Sequence, residues 1–290
     1  MATLKINNLS KTYPNGVKAL DNVSIEITNG MFGLLGPNGA GKSSLMRTLA
    51  TLQEADSGSA FLDNIDILKT PSELRKVLGY LPQEFGVYPK ITAQQLLEHI
   101  AILKGIINGK ERKELVKYLL QKVNLYNERS KSVKGFSGGM KQRVGIAQAL
   151  IGNPQLIIVD EPTAGLDPGE RNRFHNLLAD VGEEVIVILS THIVDDVKEL
   201  CSNMAIMNLG KIVYHGSPQT VIDELIGKVW QKTIERNQVE EYKNTYTVIS
   251  DKMVAGKPLI HVLSNTNPGG GFEKVSPNLE DVFFTKINVA

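Results

Sequence analysis

The stretch Gly36-Pro37-Asn38-Gly39-Ala40-Gly41-Lys42-Ser43 constrains this chain more than any other. It fits the spacing G-x-x-x-x-G-K-[ST], in which glycines let the backbone curl until its N–H groups point inward at phosphate oxygens. Met31-Phe32-Gly33-Leu34-Leu35 ahead of it reads as a short apolar strand. Residues 42–52 after it have helical spacing, packed by Leu45, Leu49 and Leu52. The helix adds the positive end of its dipole to the loop. On this reading Lys42 reaches the β- and γ-phosphates of a nucleotide and the Ser43 hydroxyl ligates Mg²⁺. The alternative is a chance glycine-rich turn before a helix, which the strand and helix on either side disfavour.

Leu156-Ile157-Ile158-Val159-Asp160-Glu161 is the second strong signal. Four apolar residues predict a buried strand, and two carboxylates emerge at its C-terminal end, where open α/β sheets bind ligands. Asp160 is expected to hold Mg²⁺ through water, and Glu161 to act as general base on the attacking water. Taken alone the segment reads first as a strand ending in a solvated acidic turn; its pairing with the phosphate loop favours the catalytic reading.

The third signal is Phe136-Ser137-Gly138-Gly139-Met140-Lys141-Gln142-Arg143, a Ser-Gly-Gly turn entering a helix through Val144, Ala147 and Leu150. It reads either as a simple cap, with Ser137 at the N-cap, or as a second helix N-terminus that receives an anion. The chain has one nucleotide loop, so a second phosphate-binding surface suggests a nucleotide shared between two subunits.

The rest of the chain arranges itself around these signals. The start alternates apolar and polar residues as a strand, turns at Tyr13-Pro14-Asn15-Gly16, and forms a second strand at Val23-Ser24-Ile25-Glu26-Ile27, an antiparallel beginning. Residues 85–134 look helical and more polar. Thr92-Ala93-Gln94-Gln95 resembles a helix start followed by Leu96, Leu97, Ile100 and Leu103, and a second helix near residues 110–123 carries Leu115, Leu119 and Leu120. Strand signals return at residues 156–159, 185–189 and 204–207 with helices between them, predicting a parallel sheet covered on both faces. Beyond Gly227 come β-rich pieces at residues 245–249 and 259–263, a Gly269-Gly270-Gly271 loop, and a short capped helix at residues 277–284. The expected fold class is α/β: a P-loop NTPase core with a mixed parallel sheet, an N-terminal antiparallel β subdomain, an inserted helical subdomain at about residues 85–150, and a small β-rich appendage. The expected domains are residues 1–226 and 227–290.

Composition narrows the partners. The net charge of +1 gives no argument for nucleic acid. No signal peptide is visible, and the longest clean apolar runs hold about five residues, where a membrane span needs roughly 20. Any work at a membrane is expected of a peripheral subunit on another chain's helices. The single cysteine, Cys201, reads as a buried or neutral thiol in a reducing compartment.

Over roughly residues 1–225 the chain resembles the ATPase subunit of ATP-binding cassette transporters, with six motifs in the family's order. Ser137-Gly138-Gly139-Met140-Lys141 is similar to the signature motif L-S-G-G-Q, with Phe136 and Met140 in place of the usual leucine and glutamine. The resemblance implies that Tyr13 stacks on adenine and that Gln83 senses Mg²⁺ and the transmembrane partner. It also implies that Ala164-Gly165-Leu166-Asp167 crosses a dimer interface and that His192 contacts the γ-phosphate. The nucleotide site then comprises Tyr13, Gly36, Pro37, Asn38, Gly39, Ala40, Gly41, Lys42, Ser43, Ser44 and Gln83 of one subunit, with Ser137, Gly138 and Gly139 of the other. Ser43, Gln83 and Asp160 serve Mg²⁺; Glu161 and His192 serve catalysis. His99, His175, His215 and His261 sit in no such context and read as structural.

The resemblance further implies ATP and Mg²⁺ as cofactors, a head-to-tail homodimer or heterodimer, multi-spanning permease partners, and a peripheral place on the cytoplasmic face of the cell membrane. Phe85, Val87 and Tyr88 read either as the groove for the partner's cytoplasmic helix or as subdomain core. The tail Ser276-Pro277-Asn278-Leu279-Glu280-Asp281-Val282-Phe283 resembles subunits that serve exporters of drugs, lipids, polysaccharides or ions. An importer subunit is the alternative. Non-transport cassettes carry long coiled-coil inserts or paired cassettes, and the sequence shows neither.

Overall fold

Two strands, β1 (Thr3–Thr12) and β2 (Lys18–Thr28), open the chain as an antiparallel pair. Leu4 and Ile6 point inward, and so does Leu9, which breaks the two-residue alternation. The register shifts between Ile6 and Leu9, and Asn8 takes φ 48°, so a bulge returns Leu9 to the inner face. Asn22, at φ 52°, sits where β2 makes the same switch between Leu20 and Val23. The computed structural model describes residues 2–83, 86, 90–163 and 165–288.

Next come β3 (Gly30–Leu35), α1 (Lys42–Leu49), β4 (Ser57–Leu62) and β5 (Ile65–Asp66). The antiparallel sheet has the order β2-β1-β4-β5. Leu45, Met46 and Leu49 seat α1 in the core beneath this sheet. Leu52 departs from its expected packing role: the helix ends at Leu49, Thr51 turns the chain with φ 60°, and Leu52 is 55% exposed. The helical spacing of leucines simply runs on past the point where the backbone leaves the helix.

Three capped helices build the inserted block after α2 (Pro71–Val77) and β6 (Leu78–Leu81), two elements that carry no clear mark in the sequence pattern. α3 (Ala93–Leu103) starts in a full capping box, Thr92 accepting from the Gln95 N–H and Gln95 from the Thr92 N–H. Asn108 caps α4 (Gly109–Lys122) and Ser137 caps α5 (Gly138–Ala149). Leu96, Leu97, Leu119 and Leu120 are buried as their spacing required. Leu103, expected on the same face, is 70% exposed because it is the last residue of α3.

The second half supplies β7 (Leu156–Asp160), α6 (Pro168–Gly182), β8 (Ile186–Thr191), α7 (Val194–Leu200), β9 (Asn203–Asn208) and β10 (Lys211–Gly216). The central sheet runs β10-β9-β3-β8-β7-β6, parallel throughout except for β10 at one edge. Cores on its two faces bury β7 and β8 completely, which explains why both read as unbroken apolar runs. Leu35 stands opposite Thr191, and Asp160 opposite Ser190, so three strands end together at one edge.

A third sheet, β12-β13-β11-β14, follows. After α8 (Pro218–Asp223) it uses β11 (Val229–Thr233), β12 (Val248–Val254), β13 (Lys257–Leu263) and β14 (Glu273–Lys274), with α9 (Val239–Thr245) between its first two strands. Thr245 closes α9 and the strand begins at Val248, later than the sequence suggested. This sheet has its own core of Trp230, Ile234, Ile260, Val262 and Phe272. The last helix, α10 (Leu279–Asn288), leaves it and buries Leu279, Val282 and Phe283 in the larger core beside α7 and α8. The buried pair His261 Nδ1 and Asp281 Oδ1, 2.6 Å apart, joins β13 to α10. Cys201 is buried, and burial together with the Asp196 charge pushes its thiol up to about 12. Among the described residues no helix is long and apolar enough to cross a membrane.

Candidate nucleotide site

The loop of residues 36–43 is pressed onto its neighbours so closely that two of its glycines have no substitute. A Cβ on Gly36 would lie 2.5 Å from the Met207 carbonyl oxygen, and one on Gly41 would overlap the carbonyl oxygen of Ala19 outright. Gly41 also takes φ 105°, and Gly39 takes φ 81°. Gly41→Ala is therefore expected to cost about 1–3 kcal/mol from backbone strain alone and to abolish nucleotide binding by displacing the loop. Paired thermal melts and binding titrations with ATP check this.

Lys42 is buried, and its Nζ donates to the carbonyls of Gly36 at 2.6 Å and Pro37 at 3.2 Å. The same nitrogen lies 3.8 Å from Glu161 Oε1. Burial draws the ammonium below its usual range, opposed by the charges of Glu161 and Asp160. Asp160 ends β7 nearly buried, and burial raises its carboxyl above the usual range against the pull of Ser190, Lys42 and Ser43. Among the described residues its Oδ1 has no hydrogen-bond partner. Glu161 takes the left-handed conformation, φ 49°, while its N–H donates to the Ser190 carbonyl. That turn places its Oε2 2.6 Å from His192 Nδ1, beyond the end of β8.

Lys42, Glu161 and His192 share one open cavity of about 330 Å³ with Tyr13, Gln83 and the rest of residues 37–44, while Asp160 is not among its lining residues. The Tyr13 hydroxyl donates to Gln53 Oε1 and shares a hydrogen bond with Ser44 Oγ, each at 3.0 Å. Gln53 also donates to the Ser44 carbonyl at 2.9 Å, so it steadies the start of α1. Sequence reasoning missed Gln53, and it missed Val17 and Ala19, which form an apolar wall beside Tyr13. A lone glutamine after a helix carries no signal, but the apolar residues beginning β2 were available as one.

Ser137, Gly138 and Gly139 do not reach this cavity. Ser137 and Gly138 are exposed, and the Ser137 hydroxyl accepts from the Met140 N–H at 3.3 Å as the cap of α5. Gly139 is buried against α6: a Cβ there would overlap Glu170 Oε2. Arg143 Nη2 sits 3.4 Å from the same carboxylate oxygen. Asp167 caps α6 by accepting from the Glu170 N–H at 2.9 Å. Ala164, Phe85, Val87 and Tyr88 lie outside the described residues. One chain thus presents the cavity over the glycine loop and, apart from it, the exposed Ser137 and Gly138 at the start of α5.

The sequence profile described as ABC transporter matches residues 20–164. The chain is 31% identical along its full length to the probable multidrug ABC transporter ATP-binding protein YbhF of Escherichia coli, of which it spans about half, 53%. It is 31% identical to the uncharacterized ABC transporter ATP-binding protein YxlF of Bacillus subtilis, over 98% of this chain and 99% of that one. Relatives named for drug resistance and for import both match. A dimeric post-hydrolysis structure of the ATP-binding cassette MJ0796, bound to ADP and Pi, superposes with a TM-score of 0.67 at 28% identity, covering 74% of this chain and 98% of that one. On fold and sequence together, the chain belongs to the ABC transporter family, as one of its ATP-binding cassette ATPases.

Proposed function

We propose that the chain hydrolyses ATP to power a membrane transporter, and that the transporter works as an exporter. The observation that carries the catalytic reading is the meeting of Lys42, Asp160, Glu161 and His192 at the joined ends of β3, β7 and β8, around the glycine loop. Loop N–H groups hold the phosphates, and Lys42 exchanges its carbonyl partners for phosphate oxygens. Tyr13, Val17 and Ala19 offer the base an apolar wall.

Mg²⁺ fits the residues present: the unpartnered Asp160 Oδ1 is a buried oxygen donor, and the Ser43 hydroxyl lies near it. Asp160 and Ser43 would hold the ion, with Gln83, which lines the same cavity, as a further oxygen ligand. Held there, it would neutralise phosphate charge. Glu161 accepts a proton from water at its carboxylate, and His192, bonded to that carboxylate, orients it towards the γ-phosphate.

The exposed Ser137 and Gly138, with the N–H groups opening α5, complete the site of a second subunit in a head-to-tail dimer. The chain itself forms the peripheral ATPase on the cytoplasmic membrane face, and the cargo path belongs to its multi-spanning partners. Export is favoured because the match to the multidrug relative runs through the C-terminal sheet and α10. Affinity purification of the tagged chain from detergent-solubilised membranes tests this. A multi-spanning protein is expected to co-purify alone. A solute-binding protein in the same complex would instead make the chain an importer subunit, and the absence of any membrane partner would overturn the transport reading.

A further inference from the structure

We propose that Asp196 is a positioning residue for ATP hydrolysis, a buried carboxylate that holds Thr163 and Thr191 and through them fixes Glu161 and His192. The inference rests on the catalytic roles assigned above to those two residues.

Asp196 belongs to the first turn of α7 and has no exposed surface. An acidic residue there ordinarily faces the helix N-terminus, yet α7 has no side-chain cap and Asp196 points inward. Its Oδ2 accepts from Thr163 Oγ1 at 2.6 Å and from Thr191 Oγ1 at 3.3 Å. Its Oδ1 accepts from Arg171 Nε at 2.8 Å and lies 2.8 Å from His175 Nε2. His175 Nδ1 in turn meets Glu199 Oε2 at 2.9 Å. Both carboxylate oxygens therefore have two polar partners each, as a carboxylate at this depth requires.

A cluster of this kind is a poor device for stability alone, since well-packed apolar side chains of the same volume do as well or better. What it provides is placement. Thr163 follows Glu161 by two residues, and Thr191 directly precedes His192. The Thr191 hydroxyl also accepts from the Ile193 N–H at 2.9 Å, so His192 is bracketed on both sides. One carboxylate thus pins the segment after β7 to the end of β8. The 2.6 Å contact between Glu161 and His192 depends on that spacing. Arg171 and His175 hold the carboxylate from α6.

Thr163→Val and Thr191→Val remove only the hydroxyls and leave the Asp196–Arg171 pair in place. Steady-state ATP hydrolysis by the purified full chain with Mg²⁺ is expected to show kcat lowered about 10- to 100-fold in each, because small misplacements of reacting groups have effects of that size. KM and equilibrium ATP affinity should stay within about twofold, since the phosphate loop is untouched. Thr163→Ser and Thr191→Ser keep the hydroxyl and should restore turnover. Valine variants with wild-type kcat, serine variants as slow as the valine ones, or losses that follow ATP affinity or melting temperature would each overturn the proposal. Glu161→Gln run alongside separates the levels. If it hydrolyses ATP normally, the catalytic assignment falls and the positioning role with it; if it is inactive while the valine variants are not, only the positioning role falls.

Discussion

Glu161→Gln is expected to lower ATP turnover by about 10²- to 10³-fold while leaving ATP binding intact. The loss follows from the proposed role of Glu161 as general base, whose contribution lies in the range of about 10²–10⁴. Binding survives because the substitution keeps the size of the side chain and leaves the loop, Lys42 and Asp160 in place. The substituted amide retains an oxygen able to meet His192 Nδ1, so the geometry at 2.6 Å persists without the basicity. Lys42, 3.8 Å from the present carboxylate, loses one opposing charge and gains a stronger preference for phosphate. With hydrolysis stalled, ATP should hold two chains together, visible as an ATP-dependent shift to dimer mass in size-exclusion chromatography with light scattering. Turnover at the original rate would remove Glu161 from the base's role.

The second large effect is complementation between two inactive chains. On the proposed dimer, Lys42→Ala would disable the chain's own phosphate loop, and Ser137→Ala the turn that meets the neighbour's nucleotide. Each alone should hydrolyse little ATP. Mixed in equal amounts they form heterodimers in about half of the pairings, each with one intact composite site, and the rate should recover to about a quarter of wild type. The Ser137 change also removes a helix cap, a loss of about 1 kcal/mol that leaves the fold standing. Recovery can arise only if the two halves of a site come from different chains. The separation of Ser137 and Gly139 from the cavity within one chain is what makes that result the expected one. No recovery on mixing would mean that each chain completes its own site.

How much of this was legible beforehand differs by residue. The capping box at Thr92 and Gln95 could be read at once because both hydrogen bonds close within three residues. The buried strands β7 and β8 were visible as apolar runs for an equally local reason. Leu9, Leu52 and Leu103 show the limit: a period of two or of 3.6 says which face a residue takes only while the element continues. A bulge at Asn8, a turn at Thr51 and the end of α3 each break that continuity. Gly139 was recognisable as a motif glycine, but its physical reason, the Glu170 carboxylate where a Cβ would stand, comes from another helix.

The sequence by itself determined the chemistry of the phosphate loop, the two carboxylates ending a buried strand and the serine-glycine turn opening a helix. Each is a run of adjacent residues whose types and spacing can be read without knowing its neighbours in space. The tertiary structure alone decided which of them meet. Glu161 and His192 are 31 residues apart in the chain and touch because β7 and β8 pair in parallel and end in register. The Asp196 knot draws on β8, α6, α7 and the turn after β7, and the last helix leaves its neighbouring sheet to pack in the cassette core. Such contacts depend on packing across the whole sheet, for which no short stretch of residues carries a pattern. The loop that most constrained the fold therefore names the ligand, and the strand pairing assembles what acts on it.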